Sequence, residues 1–152
     1  MKYLTAVGIT VGLLAGAWVQ GSGMIGLTGF VGFLGWATYF AVGQGLDGVP
    51  KAVCCNLSGV FWGAVTIFLS GLIPGQAALI VLVIVAAAIM CWQANIPILS
   101  FIPGTFIGNA CYYGNGNEWL KTGIALLCGI ALGVVSDYAA KWLSKVTSKQ
   151  ET

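Results

Sequence analysis

From Ala77 to Met90 the chain carries no polar side chain, and five other stretches are predominantly apolar. Such a run suits either a bilayer or the centre of a large soluble core, and composition decides between them. Hydrophobic residues make up 59% of the 152 positions and charged residues 7%, with a mean hydropathy of +0.95. Soluble domains carry roughly 25% charged residues, so this chain lacks the polar atoms to cover a globule in water. One transmembrane helix takes about 20 apolar residues, so six consume most of the chain and leave no room for a soluble domain. The expected fold is an all-α membrane protein with about six transmembrane helices. A single polytopic domain covers residues 1–144, and a polar cytoplasmic tail covers 145–152.

Hydropathy and turn chemistry place the segments at about Tyr3–Val19, Met24–Val42, Ala52–Leu72, Ala77–Trp92, Ile96–Tyr113 and Trp119–Leu143. Gly21-Ser22-Gly23 closes the first, Gly43 to Pro50 forms the longest loop, and Pro74-Gly75 turns the chain before the fourth. Segment five contains Pro97, Pro103, Gly104 and Asn109, and proline inside a helix removes a hydrogen bond that lipid cannot replace. It is expected to be a kinked span or a broken helix. Met1-Lys2 and the apolar stretch behind them resemble a signal peptide, but no polar cleavage region follows, so the segment is expected to be retained.

Charge placement supports six spans. Lys2, Lys51, Lys141, Lys145 and Lys149 then share one side, leaving only Lys121 on the other. That asymmetry is the positive-inside pattern, and it puts both termini in the cytoplasm. If segment five merely dipped in and returned, the asymmetry would vanish.

A shift of about 70 residues brings Lys51 onto Lys121, Gly59 onto Gly129, Gly63 onto Gly133 and Trp36 onto Phe106. The chain therefore divides into two expected repeats, 1–73 and 74–144. Three spans in each make the second enter the membrane upside down, a 3+3 inverted repeat of the kind found in transporters and channels.

Glycines spaced four apart form ridges: Gly8, Gly12 and Gly16 on segment one, Gly59 and Gly63 on segment three, Gly104 and Gly108 on segment five, Gly129 and Gly133 with Ala125 on segment six. Small ridges let helix backbones approach closely, within one chain or between copies. The ridge on segment one exceeds what six helices need internally, so a homo-oligomer is expected.

The polar residues within spans are the functional pointers. Asn56 and Asn109 offer amides that either join helices or line a path. Trp36 and Phe106 would narrow such a path or fill the core, and tryptophans near span ends suit the interface. Asp137, near the cytoplasmic end of segment six, is expected to be interfacial and wet, with an ion or proton role as its functional alternative. The five cysteines suit apolar packing rather than a disulfide framework.

Several classes of chemistry lack their residues. The six cations are all lysines, with no arginine, histidine or basic stripe, which argues against nucleic-acid binding. Metal-ligand spacing, a nucleophile elbow, a phosphate loop and a dinucleotide fingerprint are missing. An intramembrane protease would need a Ser–His pair or two deep aspartates. No enzyme activity, metal or cofactor is expected.

Gly35-Trp36-Ala37-Thr38-Tyr39-Phe40 with Gly43, Lys51 with Asn56 and Gly59 to Gly63, Phe101-Ile102-Pro103-Gly104-Thr105-Phe106-Ile107-Gly108, and Gly129 to Gly133 carry a family resemblance. The chain resembles, over most of its length, a small bacterial inner-membrane family known as domain of unknown function 1097. The resemblance implies a location and a helix count, and no activity.

Two functions fit these features. One is a passive channel or facilitator for a small neutral solute such as urea, ammonia or a short alcohol, with Trp36, Asn56, Phe106 and Asn109 along its path. The other is a non-transporting membrane component whose glycine ridges dock helices of a partner complex.

Overall fold

With no water in the bilayer core to satisfy peptide groups, an apolar chain of this kind resolves its backbone hydrogen bonds in helices. The computed structural model describes residues 2–73 and 75–148; Pro74 of the expected turn, and Lys149 and Glu151 of the expected tail, lie outside them. The helices are α1 (Tyr3–Met24), α2 (Gly29–Ala41), α3 (Gly45–Leu72), α4 (Gln76–Trp92), α5 (Ile102–Gly114) and α6 (Trp119–Ser148). Two 3-10 turns, Gln93–Asn95 and Pro97–Leu99, link α4 to α5. Among the described residues there is no strand.

Among the described residues, four stretches are long and apolar enough to cross a membrane: Tyr3–Met24, Gly45–Leu72, Gln76–Asn95 and Trp119–Thr147. Helices α2 and α5 have 13 residues each. At 1.5 Å per residue they extend about 20 Å, less than the roughly 30 Å of a hydrocarbon core.

Three expected boundaries change. Gly21-Ser22-Gly23 does not end the first helix: α1 continues to Met24, and the Gly21 and Gly23 carbonyls accept from the Ile25 and Gly26 N–H groups. Glycine weakens a helix but cannot end one where no other partner is offered, and the reversal waits for Gly26 at φ +69°. The expected loop from Gly43 to Pro50 is mostly helix. The turn is made by Gly43, Gln44 and Gly45, all at positive φ, and α3 starts at Gly45. Pro50 lies in the second turn of α3, where the bond it forfeits is to Leu46, near an exposed helix end. In segment five, Pro97 opens a 3-10 turn and Pro103 sits in the first turn of α5. First-turn N–H groups have no intrahelical partner, so neither proline interrupts a helix interior.

The inner helices pair through glycine. Gly104 faces Cys55, Gly108 faces Asn56 and Gly63 faces Tyr112, so α5 runs beside α3 in the same direction. Gly35 faces Leu126, Gly129 faces Gly32 and Gly133 faces Tyr39, so α2 runs beside α6 in the same direction. Helices α3 and α6 are antiparallel, with Ala52 packed near Ile130 and Leu57 near Gly123. A core of Val31, Val60, Cys111, Tyr112, Ala125 and Leu126 fills the space where these four helices meet. Outside them, α1 lies on α6 and α4 on α3.

A displacement of 73 residues carries Tyr3, the start of α1, to Gln76, the start of α4, and carries Gly29–Ala41 onto Ile102–Gly114. It also carries Gln44 onto Asn117, the only non-glycine residues at positive φ among those described. Each donates its N–H to the matching tyrosine carbonyl, Gln44 to Tyr39 and Asn117 to Tyr112. The α3 and α6 contacts, by contrast, match at the shift of 70 that pairs Gly59 with Gly129. The difference arises at the start of the third helix of each set, because α3 begins 14 residues before Gly59 and α6 only 10 before Gly129. The position answering to Trp36 is therefore Asn109, whose backbone N faces Gly59 as that of Trp36 faces Gly129, and not Phe106.

Candidate functional site

The glycine pairs leave no space between their own members. A Cβ on Gly59 would lie 1.9 Å from the Thr105 carbonyl oxygen, and one on Gly108 1.9 Å from that of Asn56. In the other pair, a Cβ on Gly129 would lie 1.8 Å from the Gly32 oxygen. Nothing passes through contacts this close. The informative polar groups are those in the seam between the α2–α6 pair and the α3–α5 pair.

Asn56 occupies that seam. It is fully buried, and its Oδ1 lies 3.2 Å from the Thr38 hydroxyl of α2. Its Nδ2 has no hydrogen-bond partner among the described residues. The Thr38 hydroxyl also reaches the Leu34 carbonyl at 2.9 Å, and its single proton cannot serve both acceptors. Turning the amide over would let Nδ2 donate to Thr38 and leave Oδ1 open instead. Either way one buried polar atom of Asn56 is left over, in a place where an unmade bond costs about 1–3 kcal/mol.

The other three residues expected along a path lie elsewhere. Trp36 is buried in the α2–α6 pair, stacked on Phe33, with its indole N–H donating to Ser136 Oγ at 3.1 Å. Asn109 lies in the α3–α5 pair and donates from Nδ2 to the Gly59 carbonyl at 3.3 Å. Phe106 is on the outer face of α5, 41% exposed. Trp18, placed near a span end by sequence, is buried and donates to the Gly29 carbonyl at 2.9 Å. The ridge of Gly8, Gly12 and Gly16 is open: a Cβ on any of them would have no neighbour within 4 Å among the described residues.

A polar cluster around Gln93 was not evident from sequence. Gln93 closes α4, and its Oε1 accepts from Ser58 Oγ at 2.8 Å and from the Trp62 indole at 3.1 Å. Its Nε2 donates to Thr105 Oγ1 at 3.2 Å. One amide thus ties the irregular link to α3 and α5. The signal was present in Ser58 and Trp62, four apart and hence on one helix face, opposite a glutamine ending an apolar run.

Asp137 departs furthest from expectation. Its side chain is wholly buried rather than wet. Tyr3 donates to Oδ1 at 2.6 Å, Tyr39 to Oδ2 at 2.8 Å, and the half-exposed Lys141 amine to Oδ2 at 2.7 Å. The Tyr39 hydroxyl in turn accepts the Gly45 N–H at 2.9 Å. A carboxylate can leave water only when charge-assisted hydrogen bonds replace its hydration, and here α1, α2 and α6 supply them. The partners lie far apart in sequence, which is why the site could not be read there.

An apolar groove of about 480 Å³ runs between α3 and α6, lined by Leu57, Phe61, Ala64, Trp119, Gly123 and Leu127 among others. None of the four residues expected along a path borders it.

Residues 8–141 match a family described as protein of unknown function (DUF1097). The chain belongs to that family. It is 38% identical to the inner membrane protein YcdZ of Salmonella typhimurium, over 95% of this chain and 91% of that protein. It is 37% identical to YcdZ of Escherichia coli, over 98% and 93%. With the uncharacterized protein YahC of Escherichia coli it shares 31% identity over 99% of each. No solved structure matches the chain. Four long apolar helices and relatives named as inner membrane proteins make this family member an integral membrane protein of a bacterial inner membrane.

Proposed function

We propose that the chain is a passive facilitator for a small neutral solute, with its path along the seam between the two glycine-packed helix pairs. The observation that carries this reading is the buried amide of Asn56, with one polar atom unpaired at the crossing of α2, α3 and α5. A solute carbonyl or hydroxyl passing the seam would complete that hydrogen bond. Coupled transport normally relies on intramembrane carboxylates free to change state, whereas Asp137 already has three donors.

The reading includes six crossings arranged as a 3+3 inverted repeat. Support comes from the exchanged pairing, in which α2 of the first set packs on α6 of the second and α5 on α3. Alternating helix directions and the matched Gln44 and Asn117 turns support it as well. The end bearing Lys2, Lys51, Lys141 and Lys145 is cytoplasmic in this reading, by the positive-inside rule. No enzymatic step or cofactor is involved.

Stopped-flow light scattering on proteoliposomes tests the proposal against urea, ammonia, glycerol and water. Flux above empty liposomes that falls on replacing Asn56 with Leu supports it. Flux equal to empty liposomes for every solute, with folded protein, removes it.

One observation favours a second reading, a non-transporting component that docks helices of a partner complex. The α1 ridge of Gly8, Gly12 and Gly16 is open, while Gly59, Gly63, Gly129 and Gly133 are each covered by another helix. A second copy on that ridge would give the expected homo-oligomer, and a different protein would give the partner complex. Purification in mild detergent separates them: a defined homo-oligomer supports the first, obligatory co-purification the second.

A further inference from the structure

The turn between α2 and α3 is where one rigid helix pair hands the chain to the other. Gly43, Gln44 and Gly45 lie at φ 118°, 60° and 75°. Gln44 combines its φ of 60° with ψ 174°, a region that essentially only glycine occupies. A side chain persists there only when its surroundings hold it. Those surroundings are the Asp137 cluster: Gly45 N–H bonds the Tyr39 hydroxyl, which bonds Asp137, and the Tyr3 hydroxyl lies 3.2 Å from Gln44 Oε1 and 2.6 Å from Asp137.

We propose that Gly43–Gly45 is a hinge between the two helix pairs, and that Asp137 with Tyr3 and Tyr39 is the latch that holds it closed. Each pair moves as a unit, because its backbones touch through glycine with no slack. Relative motion is left to the seam and to the links that cross it. The matching turn after α5 has no such latch. Tyr112 answers to Tyr39, but Ile67 stands where Asp137 would fall, and Gln76 stands where Tyr3 would fall. The latch thus belongs to one end of the molecule, and Tyr3 gives the peripheral helix α1 its hold on the hinge. Removing the Tyr3 hydroxyl releases the N-terminal end of α1 and the Gln44 side chain from the cluster, while Trp18 still ties the other end of α1 to Gly29.

What the open hinge admits rests on the facilitator reading; the hinge itself does not. Hydrogen–deuterium exchange on the full chain in lipid nanodiscs tests it, comparing wild type, Tyr3→Phe and, as a control, Tyr112→Phe. Tyr3→Phe keeps the ring and removes one hydroxyl on a half-buried residue at a helix end, so the fold survives it. The expected result is exchange at least tenfold faster in a peptide covering residues 40–48, with α5 peptides unchanged, and no change in either region for Tyr112→Phe. Equal exchange at 40–48 in Tyr3→Phe and wild type, or a rise spread evenly over all helices, overturns the latch. Flux is then measured on the same variants. Faster exchange without flux in any variant keeps the hinge and discards the solute path, whereas flux with unchanged exchange keeps the path and discards the latch.

Discussion

Gly59 and Gly129 occupy the same position in two crossings that exchange helices between the halves of the chain. Each presents its Cα to a carbonyl oxygen of its neighbour, Thr105 for Gly59 and Gly32 for Gly129, at distances that forbid a methyl group. In lipid there is no hydrophobic drive between helices, so close backbone packing must provide the cohesion.

Alanine at either position is therefore expected to lower stability by about 1–3 kcal/mol or more, because the obstacle is backbone rather than a movable side chain. The two substitutions should cost similar amounts. Gly12→Ala should leave monomer stability unchanged or raise it by up to about 1 kcal/mol, since its Cβ enters open space and alanine is the better helix former. Thermal denaturation in detergent, read by tryptophan fluorescence, compares the three. Equal loss from Gly12→Ala and Gly59→Ala would contradict the assignment of the two ridges.

Trp36 depends on Ser136 in a different way. The indole N–H and Ser136 Oγ are both buried, and Ser136 passes its own proton to the Gly133 carbonyl at 2.9 Å. Ser136→Ala strands the indole donor and is expected to cost about 1–3 kcal/mol. In a Trp36→Phe background the same change should cost markedly less, because the donor has gone. A double-mutant cycle on unfolding free energies checks this, and a coupling near zero would mean that the indole finds another acceptor.

Gln93→Leu tests whether one amide organises the link between α4 and α5. The change leaves Ser58, Trp62 and Thr105 without their shared partner, an expected loss on the order of 2 kcal/mol. Limited proteolysis should then cut within 93–101 sooner than in wild type. Unchanged protection there would show that the 3-10 turns hold their shape without Gln93.

Helix number and the glycine ridges were legible in the sequence because each follows from local spacing. Gly59 and Gly129 announce themselves by four-residue periodicity, and the run from Ala77 to Met90 can hardly be anything but a helix in lipid. What escaped was information carried by long-range geometry. Asp137 near the end of an apolar segment looks solvated until Tyr3 and Tyr39 are brought to it from more than 90 residues away in the chain. Trp36 was matched to Phe106 because a single shift cannot follow a three-residue change between helices. Helix ends were misplaced at Gly21 to Gly23 and at Gly43 to Pro50 for one physical reason: signals that end helices in water are weaker where water offers the backbone no alternative.

Asn56 and Asn109 look alike in sequence, yet the structure makes opposite predictions for their replacement by leucine. Asn109 donates to the Gly59 carbonyl, so its loss removes a bond across a tight helix pair and should lower stability by about 0.6–1.7 kcal/mol, the range for interhelical bonds in membranes. Asn56 carries an unpaired buried atom, and an apolar side chain of similar shape ends that penalty. Replacing a poorly satisfied polar group by an apolar one is close to neutral or stabilising. Asn56→Leu is thus expected to keep or raise the midpoint of thermal unfolding while abolishing solute flux, the pattern of a residue retained for function at a cost in stability. Should Asn56→Leu destabilise the fold as much as Asn109→Leu does, Asn56 is an ordinary structural contact, and the seam loses the group on which the proposed path depends.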